Sequence, residues 1–314
     1  MTGPAESNTA DVAGAAGYRP LLFSIAYGMT GSVGDAEDLV QDTFLGLTRA
    51  GLAGTAVTDP KAYLTTTVTR LGINHLKSAR VRRETYVGEW LPEPVVTTAE
   101  RPGPAEHAEL ADSLSMAFLV LLEALTPVER AVFTLREAFG YGYPEVAGMV
   151  GRSEANCRQI FARARKRLTS SGAALPPPAR RAEGEELARR FFEVAEGGDL
   201  DALLGMLAPD VVFQGDGGGK ARALARSVTD PRRVAQLLVG GFRRIRRLGV
   251  HLVPARVNGR PGAVAYDAER RVVNVIELDL APDGTVRAVR AVSNPDKLAH
   301  LGPVSDLGLL PAAR

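Results

Sequence analysis

The sequence predicts a multidomain fold in which two all-α modules are followed by an α+β domain. Apolar residues recur at helical spacing from about residue 18 to about residue 170, and after about residue 250 they alternate with a period of two. Two stretches rich in Pro, at 84–108 and 170–182, interrupt these patterns as linkers do. A chain of 314 residues is long enough for two or three domains, so each module can bury its own core.

Composition limits the function classes before any motif is considered. Hydrophobic residues make up 45% of the chain and charged residues 24%, which is typical of a globular protein. The formal net charge of +2 means that nucleic-acid binding must come from local basic patches. The single cysteine, Cys157, excludes an internal disulfide and favours a reducing compartment. We find neither a signal-peptide pattern nor a membrane span, and therefore expect a cytoplasmic protein that begins with a disordered tail over 1–17.

The first helical module is predicted over 18–84 and contains three helices. Its second helix, DAEDLVQDTFLGL at 35–47, carries acidic side chains in its amino-terminal half, where they suit the helix dipole. A third helix begins with Asp59 as its cap and Pro60 in its first turn, and its carboxyl end is basic. The acidic half of the second helix is therefore either a solvated face or a binding surface for a basic partner.

A helix-turn-helix is predicted over 126–168. Thr126, Pro127 and Glu129 form a helix-start signal, because the glutamate can reach back to the cap. Glycines end the first and second helices, and the third has an apolar seam on one side. Its other side is basic and carries Arg158, Arg163, Arg165, Lys166 and Arg167. Such a helix fits the major groove of duplex DNA, and the alternative is a solvated basic helix within a bundle.

The third predicted domain spans 183–301 and changes from helices to strands. Two amphipathic helices are predicted in 185–207, followed by a short strand at PDVVF and a further helix. The remaining strands are predicted near 250–257, 263–267, 272–280 and 286–292, with hairpin signals at Asn258-Gly259 and Asp283-Gly284. Helices followed by a curved antiparallel sheet make an α+β cone, and 302–314 is predicted as a tail.

The two helical modules resemble the sigma factors of bacterial RNA polymerase, in particular the extracytoplasmic function (ECF) group that keeps only regions 2 and 4. The match is most specific in DAEDLVQDTFL, which is similar to the region 2.2 helix that docks on the polymerase core. The resemblance implies that Asp38, Gln41 and Asp42 contact the clamp helices of the largest core subunit. Short carboxylates and an amide on a rigid helix can pair with arginines of a partner helix.

Residues 63–80 resemble regions 2.3 and 2.4, which contact the −10 element of the promoter. The resemblance implies that Asn74, Lys77 and Arg80 contact this element. Residues 109–170 resemble region 4, which reads the −35 element as duplex DNA and binds the flap of the second core subunit. In this region the resemblance assigns Arg158, Gln159, Ala162 and Arg163 to bases of the −35 element, and Asn156, Arg165 and Lys166 to its phosphates.

Three short motifs indicate the SigJ type within the ECF group: WLPEP at 90–94 in the linker 85–108, DGGGK at 216–220 and NPDKL at 294–298. The third domain resembles the SnoaL-like polyketide cyclase fold that such factors carry. We predict that the motifs meet in one regulatory contact, with DGGGK as a flat backbone surface and its two charged residues at the edges. The residues of this predicted contact are Trp90, Leu91, Asp216, Gly217, Gly218, Gly219, Lys220, Asn294, Pro295, Asp296 and Lys297. The α+β domain would then fold back between the helical modules and act in cis, so that no separate anti-sigma protein is required.

Two other function classes stay open at this point. The cone fold often houses enzymes, for which His251, Glu277 and Asp279 are the candidate acid–base residues, although acids on such strands commonly face solvent. A one-component regulator would join the helix-turn-helix to a ligand-sensing cone, but it has no use for the acidic helix. DGGGK lacks the spacing of a phosphate-binding loop, and RRIRR at 243–247 is either a DNA contact or a solvated helix face. The sequence assigns no catalytic residue, no metal and no cofactor.

Overall fold

The computed structural model describes residues 14–55, 57–84, 86–97, 114–170 and 181–309. The chain divides into two compact units. The helical unit joins residues 1–82 to 118–175, and the α+β unit joins 83–117 to 176–314. The segment between the two predicted helical modules therefore belongs to the α+β unit. Two all-α modules and an α+β domain are present, so the predicted fold class is confirmed.

The amino-terminal half of the helical unit contains α1 Arg19–Thr30, α2 Val33–Leu52 and α3 Pro60–Glu84, with a 3-10 turn at Ala16–Tyr18 before α1. The hydroxyl of Ser32 caps α2 by accepting a hydrogen bond of 3.1 Å from the N–H of Asp35. The carboxylate of Asp59 caps α3 by accepting from the N–H of Ala62 at 2.9 Å, as the sequence predicts. Both helices therefore start where a local side chain satisfies their free backbone donors.

The carboxyl-terminal half of the helical unit contains α4 Met116–Leu122, α5 Pro127–Glu137, α6 Tyr143–Val150 and α7 Glu154–Ser170. Thr126 and Glu129 form the predicted capping box, in which Glu129 Oε2 accepts from the N–H of Thr126 at 3.0 Å. Gly151 ends α6 with a φ of 64°, a left-handed conformation that favours glycine. Ser153 caps α7 by accepting from the N–H of Asn156 at 3.3 Å. Helices α5 to α7 thus confirm the helix-turn-helix.

Two arginines join the halves of the helical unit. Arg70 of α3 donates from Nε to the carbonyl of Met149 in α6 at 3.2 Å. Arg130 of α5 is 2% exposed, pairs with Glu123, and donates from Nε to the carbonyl of Gly28 in α1 at 3.5 Å. Because a buried guanidinium is stable only with partners, Arg130 ties α5 to α1.

The α+β unit contains β1 Val96–Thr97, α8 Arg181–Gly197, α9 Leu200–Met206, β2 Leu207–Asp216, α10 Pro231–Arg247, β3 His251–Val257, β4 Arg260–Tyr266, β5 Val272–Leu280, β6 Val286–Val292 and α11 Pro295–Leu298. The six strands form one sheet in the order β1-β3-β4-β5-β6-β2. All neighbouring strands are antiparallel except β2 and β6, which are parallel. The antiparallel sheet that the sequence predicts is present in β3 to β6. The earlier strand β2 adds a parallel edge next to β6, which the long connection between the two strands allows.

One face of the sheet packs on α8, α9 and α10 and forms the core of the α+β unit. Phe191 of α8, Phe242 of α10 and Leu278 of β5 are almost fully buried there. Burial of each such side chain stabilises the fold by roughly 1.5–3 kcal/mol. The predicted turn between β3 and β4 is present, and its residues Asn258 and Gly259 both have positive φ, 49° and 72°, as a type I′ hairpin turn requires.

The two predicted tails are too long, because other parts of the chain cover their inner ends. Ala15 lies within the tail predicted over 1–17, yet it is buried. Ser305 lies within the tail predicted over 302–314, but it is 2% exposed and its N–H donates to the carbonyl of Val272 at 2.8 Å. Both residues therefore belong to the folded part of their units.

The two predicted linkers also end differently. The linker predicted over 85–108 contributes β1 to the sheet. The helix predicted to start at Glu109 is described only from Met116, so its predicted start lies outside the described residues. The linker predicted over 171–182 ends at Arg181, where α8 begins.

Among the described helices, none combines the length and the apolar character that a membrane span needs.

Candidate nucleic-acid interface and docking cluster

Helix α7 presents a polar face opposite a buried seam. The seam consists of Cys157, Ile160, Ala164 and Leu168. The side chains predicted at the −35 element are all exposed, namely Asn156, Arg158, Gln159, Arg163, Arg165 and Lys166. Three guanidinium groups and one ammonium group therefore share the exposed side of one helix, where they can reach phosphates and base edges.

The ring of Tyr143 in α6 supports the basic face of α7. The guanidinium carbon of Arg158 lies 4.6 Å from the centroid of this ring, and that of Arg136 lies 4.3 Å from it. Arg158 also pairs with Glu154 at 3.2 Å. A cation over an aromatic face gains roughly 0.5–1 kcal/mol at an exposed site. Tyr143 thus orients Arg158, a role that sequence reasoning missed because the two residues lie on different helices.

Arg167 differs from the other basic residues of α7, since it turns towards α5. Its guanidinium pairs with Glu129 at 2.8 Å. Burial by itself raises the pKa of Glu129, but hydrogen bonds from Thr126 and the charges of Arg167 and Arg163 hold that pKa below its usual value. Arg167 lies on the basic side of α7, as the sequence predicts, but it pairs with the capping box of α5.

Helix α2 exposes the three side chains predicted to bind the polymerase core. Asp38, Gln41 and Asp42 are all exposed. A depression of about 330 Å³ adjoins them, and its lining includes Gln41, Phe44 and Leu45. The side chain of Leu45 is 44% exposed. Carboxylates beside a partly apolar depression form a surface that a basic, amphipathic partner helix can occupy.

Helix α3 carries the residues predicted at the −10 element. Asn74 and Lys77 are exposed and lie three residues apart, so they share one side of the helix. Arg80 lies on the same helix, but its side chain is outside the described residues. The hydroxyl of Tyr63 donates to the carbonyl of Gly46 at 3.4 Å, which joins α3 to α2.

Asp216, the last residue of β2, is the centre of a cluster that joins the segment before β1 to the α+β domain. Its side chain is fully buried. Oδ2 accepts from the N–H of Leu91 at 2.8 Å and from Nζ of Lys297 at 2.7 Å. Oδ1 accepts from the hydroxyl of Tyr86 and from the N–H of Gly218 at 3.0 Å. We call Tyr86, Trp90, Leu91, Asp216, Asn294 and Lys297 the docking cluster.

Lys297 of α11 supplies the cation of the docking cluster. It is 6% exposed, and besides Asp216 its Nζ donates to the carbonyl of Leu91. Nζ also lies 4.2 Å from the ring centroid of Trp90 and 4.7 Å from that of Tyr86. Burial and the neighbouring Asp216 carboxylate raise the pKa of Tyr86, so its hydroxyl keeps the proton that it donates. One ammonium group thus contacts the backbone and both aromatic side chains of the segment.

The three glycines of DGGGK each meet a steric requirement. Gly218 and Gly219 have positive φ, 58° and 71°. A Cβ atom on Gly218 would lie 2.2 Å from the amide nitrogen of Asn294, and one on Gly219 would lie 3.1 Å from Cβ of Val87. A Cβ atom on Gly217 would lie 2.2 Å from a backbone carbonyl oxygen of the same loop. The loop therefore allows close approach by both α11 and the docked segment.

The polar and charged residues of DGGGK and NPDKL have different environments. Asn294 caps α11 by accepting from the N–H of Asp296 at 3.1 Å, and its amide donates to the hydroxyl of Tyr86 at 2.8 Å. Lys220 is exposed and pairs with Asp296 at 2.7 Å. Asp216 was expected at an edge of the contact together with Lys220, and for Asp216 this is wrong. Its carboxylate lies at the centre because it satisfies donors from three separate segments.

Further hydrogen bonds hold the same segment to the α+β domain. Ser227 donates its N–H to Glu89 at 2.9 Å. Asn258 accepts from the N–H of Val95 at 3.1 Å and donates to the carbonyl of Leu114 at 3.0 Å. The sequence indicates Asn258 only as a turn residue, and Tyr86 only as part of a linker. Their partners lie far away in sequence, so local patterns do not reveal these roles.

The acidic candidates for catalysis are buried in ion pairs. Glu277 pairs with Arg290 at 2.8 Å, and Asp279 pairs with Arg287 at 2.8 Å. Burial raises the pKa of Glu277, although the charge of Arg290 opposes this shift. The expectation that these acids face solvent is wrong, because arginines of β6 compensate their charge within the sheet. His251 is exposed, and the described residues contain no group of His, Cys, Asp and Glu that could hold a metal ion.

Known proteins match both the helical modules and the whole chain. The model of Sigma-70 region 2 matches residues 15–82, and that of Sigma-70, region 4 matches residues 115–168. The ECF RNA polymerase sigma factor SigJ of Mycobacterium tuberculosis is 38% identical over 308 residues, which cover 94% of this chain and 95% of that protein. The crystal structure of M. tuberculosis SigJ matches with a TM-score of 0.70 and 35% sequence identity, over 90% of this chain and 96% of that one.

A second relative matches a shorter part of the chain. The probable ECF RNA polymerase sigma factor SigI of M. tuberculosis is 35% identical over 203 residues, which cover 63% of this chain and 67% of that protein. The chain therefore belongs to the ECF family of RNA polymerase sigma factors. It is an alternative sigma factor that binds RNA polymerase core and promoter DNA and directs promoter recognition and transcription initiation. The resemblance inferred from the sequence is confirmed.

Replacing Lys297 with Met should destabilise the α+β unit by about 3–5 kcal/mol, because it leaves the buried carboxylate of Asp216 without its cation. Trp90 is the single tryptophan and lies against Lys297, so its fluorescence during urea unfolding reports on the docking cluster. Lys220→Met is the matched control, since the exposed pair with Asp296 contributes at most about 1 kcal/mol. Equal unfolding midpoints for the two variants would show that the cluster does not stabilise the unit.

Proposed function

We propose that the α+β domain regulates this sigma factor in cis through the docking cluster. The buried pair of Asp216 and Lys297 is the observation that carries this proposal. It joins the chain directly after α3, which ends at Glu84, to the α+β domain. Asn258 holds the carbonyl of Leu114, just before α4. The chain that connects the two helical modules is thus held at both ends, so a change in docking alters the spacings that the modules can adopt.

Docking of this kind acts as a switch only if its free energy differs between two arrangements of the modules. A difference of about 5.5 kcal/mol moves a two-state equilibrium from 1:99 to 99:1. Undocking would expose the buried pair of Asp216 and Lys297 and remove the hydrogen bonds of both side chains with the backbone of Leu91, which is the free-energy difference that the switch would use. A domain on the same chain also acts at a high effective concentration. We therefore propose that no separate anti-sigma protein is required.

For the polymerase core, we propose that Asp38, Gln41 and Asp42 bind the clamp helices of the largest subunit. The three side chains are exposed on one rigid helix, beside a depression that includes Leu45. Carboxylates aligned in this way can form charge-assisted hydrogen bonds with arginines of the partner. The helix-turn-helix module would bind the flap of the second subunit, which gives the core two separate attachment points.

For the promoter, we propose that α3 contacts the −10 element and α7 the −35 element. Asn74, Lys77 and Arg80 would act on α3. On α7, we propose base contacts for Arg158, Gln159 and Arg163, and phosphate contacts for Asn156, Arg165 and Lys166. The cation–π contact with Tyr143 supports base readout by Arg158, because a guanidinium that is already oriented loses less entropy on binding. We therefore propose that the protein acts in the cytoplasm, where the polymerase transcribes DNA.

We further propose that the α+β domain is not an enzyme. Its buried acids, Glu277 and Asp279, form ion pairs with Arg290 and Arg287 within the sheet. An open groove of about 840 Å³ lies between α8 and strands β3 and β4. In this groove Arg189 forms ion pairs with Glu186 and Glu193, so these charged side chains compensate one another. This pairing favours a regulatory domain over a catalytic one.

Reversing the charge of Asp38 and Asp42, both to Lys, should abolish assembly with polymerase core, because the lysines that replace these exposed carboxylates would repel a basic partner. Co-purification with core measures assembly, and circular dichroism checks the fold. Glu196→Lys with Asp210→Lys is the matched control, since it makes the same change in charge at exposed positions of the α+β domain. Retention of the folded α2 variant at the normal level would refute the proposed interface.

Arg158→Ala and Arg163→Ala should each reduce discrimination at one −35 position by about 1–3 kcal/mol, if each arginine reads a guanine. Lys166→Ala should instead weaken binding to all sequences and lower the salt dependence by about one phosphate contact. Binding to single-base variants of the −35 duplex at several salt concentrations separates the two behaviours. Uniform weakening by all three substitutions would argue against base readout.

Loosening the docking cluster should change transcription from a cognate promoter several-fold while core binding is preserved. Gly218→Val introduces a clash with Asn294 at a positive φ, Trp90→Ala removes a contact of Lys297, and truncation after Leu175 removes the α+β domain. Gly205→Val is the control, because a Cβ atom there meets no neighbour within 4 Å. Run-off transcription and the distance between labels on the two helical modules should both respond. If neither responds to any of the three changes, regulation in cis is wrong.

A further inference from the structure

Helix α10 of the α+β domain has an exposed face made of arginines. Five of its arginines lie within about 120° of one another around the helix axis, at 3.6 residues per turn. They are Arg232, Arg233, Arg243, Arg244 and Arg247, and all five are exposed. We call these five residues the arginine face. Within the described part of the chain, none of them pairs with an acidic side chain.

The arginine face is not explained by stability. Helix α10 contains no acidic residue, and neighbouring arginines at adjacent and (i, i+4) positions repel one another. Helix α8 of the same domain solves this problem with acids, since Arg189 pairs with Glu186 and Glu193. Like-charge pairs one helical turn apart each cost roughly 0.2–0.5 kcal/mol. α10 therefore retains a repulsion that its neighbour avoids.

The helix dipole accounts for only part of this pattern. Arginines in the last turn of a helix are stabilised by the partial negative charge at that end of the helix. This effect explains Arg244 and Arg247. Arg232 and Arg233 lie in the first turn, where the dipole disfavours cations. The carboxylate of the cap residue Asp230, which accepts from the N–H of Arg233 at 2.7 Å, supplies one negative charge there. The five arginines outnumber this one acid, so positive charge is left for an external anion.

We propose that the arginine face binds the phosphate backbone of duplex DNA. Arg232 and Arg243 are eleven residues apart, so their Cα atoms are separated by about 16 Å along the helix at 1.5 Å per residue. The arginine face has one group at each end of the helix, Arg232 with Arg233 and Arg243 with Arg244 and Arg247. The two groups can therefore reach phosphates on both sides of a major groove about 12 Å wide. Guanidinium groups suit phosphate because they donate two parallel hydrogen bonds. Gly240 lies on the same side of the helix between the two groups and leaves the middle of the face open for close approach.

An anionic membrane fits α10 less well than DNA does. A helix that lies on a bilayer inserts an apolar face between the lipids. The apolar face of α10, which includes Val234, Leu238 and Phe242, is buried in the core of the α+β domain. Only the charged face is available, and a sigma factor already works on duplex DNA. The contact would be independent of sequence and separate from those of α3 and α7.

The salt dependence of DNA binding tests this proposal with the full-length protein. Each lost phosphate contact lowers the slope of log K against log salt by about 0.9. Arg232→Gln with Arg233→Gln, and Arg243→Gln with Arg244→Gln, should each lower the slope by up to about 2, equally on a promoter duplex and a scrambled duplex of the same length. Arg189→Gln with Arg190→Gln on α8 removes the same charge and should leave the slope unchanged.

Crosslinking tests the contact directly. Gln236 is exposed and lies between the two groups of the arginine face, and the single natural cysteine, Cys157, is buried. A photoreactive label on Gln236→Cys should crosslink to DNA, whereas the same label on Glu193→Cys of α8 should not. Unchanged salt slopes together with no crosslink would overturn the proposal. If the arginine-face variants bound DNA normally but lost binding to polymerase core, the proposal would also be overturned. The face would then be assigned to a protein partner.

Discussion

The α+β unit depends on one buried ion pair between Asp216 and Lys297. Neither charge is stable in the core without the other, and each also bonds to the backbone of Leu91. The sheet end that carries Asp216, the helix that carries Lys297 and the docked segment must therefore come together for any of them to be satisfied. This requirement explains why a stretch rich in Pro, which looks like a free linker, adds a strand to the sheet of a distant domain.

Local chemistry allowed most elements to be predicted, whereas the docking cluster required information that lies elsewhere in the chain. The capping box at Thr126 and the hairpin turn at Asn258 each depend on neighbours within a few residues. Asp216, in contrast, bonds to residues 125 and 130 positions away. The sequence indicated that its motif makes a contact but gave its carboxylate the wrong place. A pattern of residue types does not state which of them is buried.

The acids of the sheet show the same limit in energetic terms. Glu277 and Asp279 alternate along β5 as solvent-facing residues do, yet both are buried. Arg290, which lies opposite Glu277 on β6, pairs with that acid, and Arg287 of the same strand pairs with Asp279. Alternation predicts the face of a strand correctly but does not predict what covers that face. The cross-strand register decides which side chains cover that face, and the register is set by the whole sheet.

Arginine illustrates why residue type alone does not assign function in this chain. Arg130 is a buried tie between two helices, Arg167 completes a capping box, and Arg158 is oriented by an aromatic ring. In each case a neighbouring group determines the role. The arginine face of α10 differs because the described structure offers it no acidic partner and the helix dipole opposes its first turn. With a net charge of only +2, the protein has little general attraction for DNA, so such local faces decide where phosphates bind.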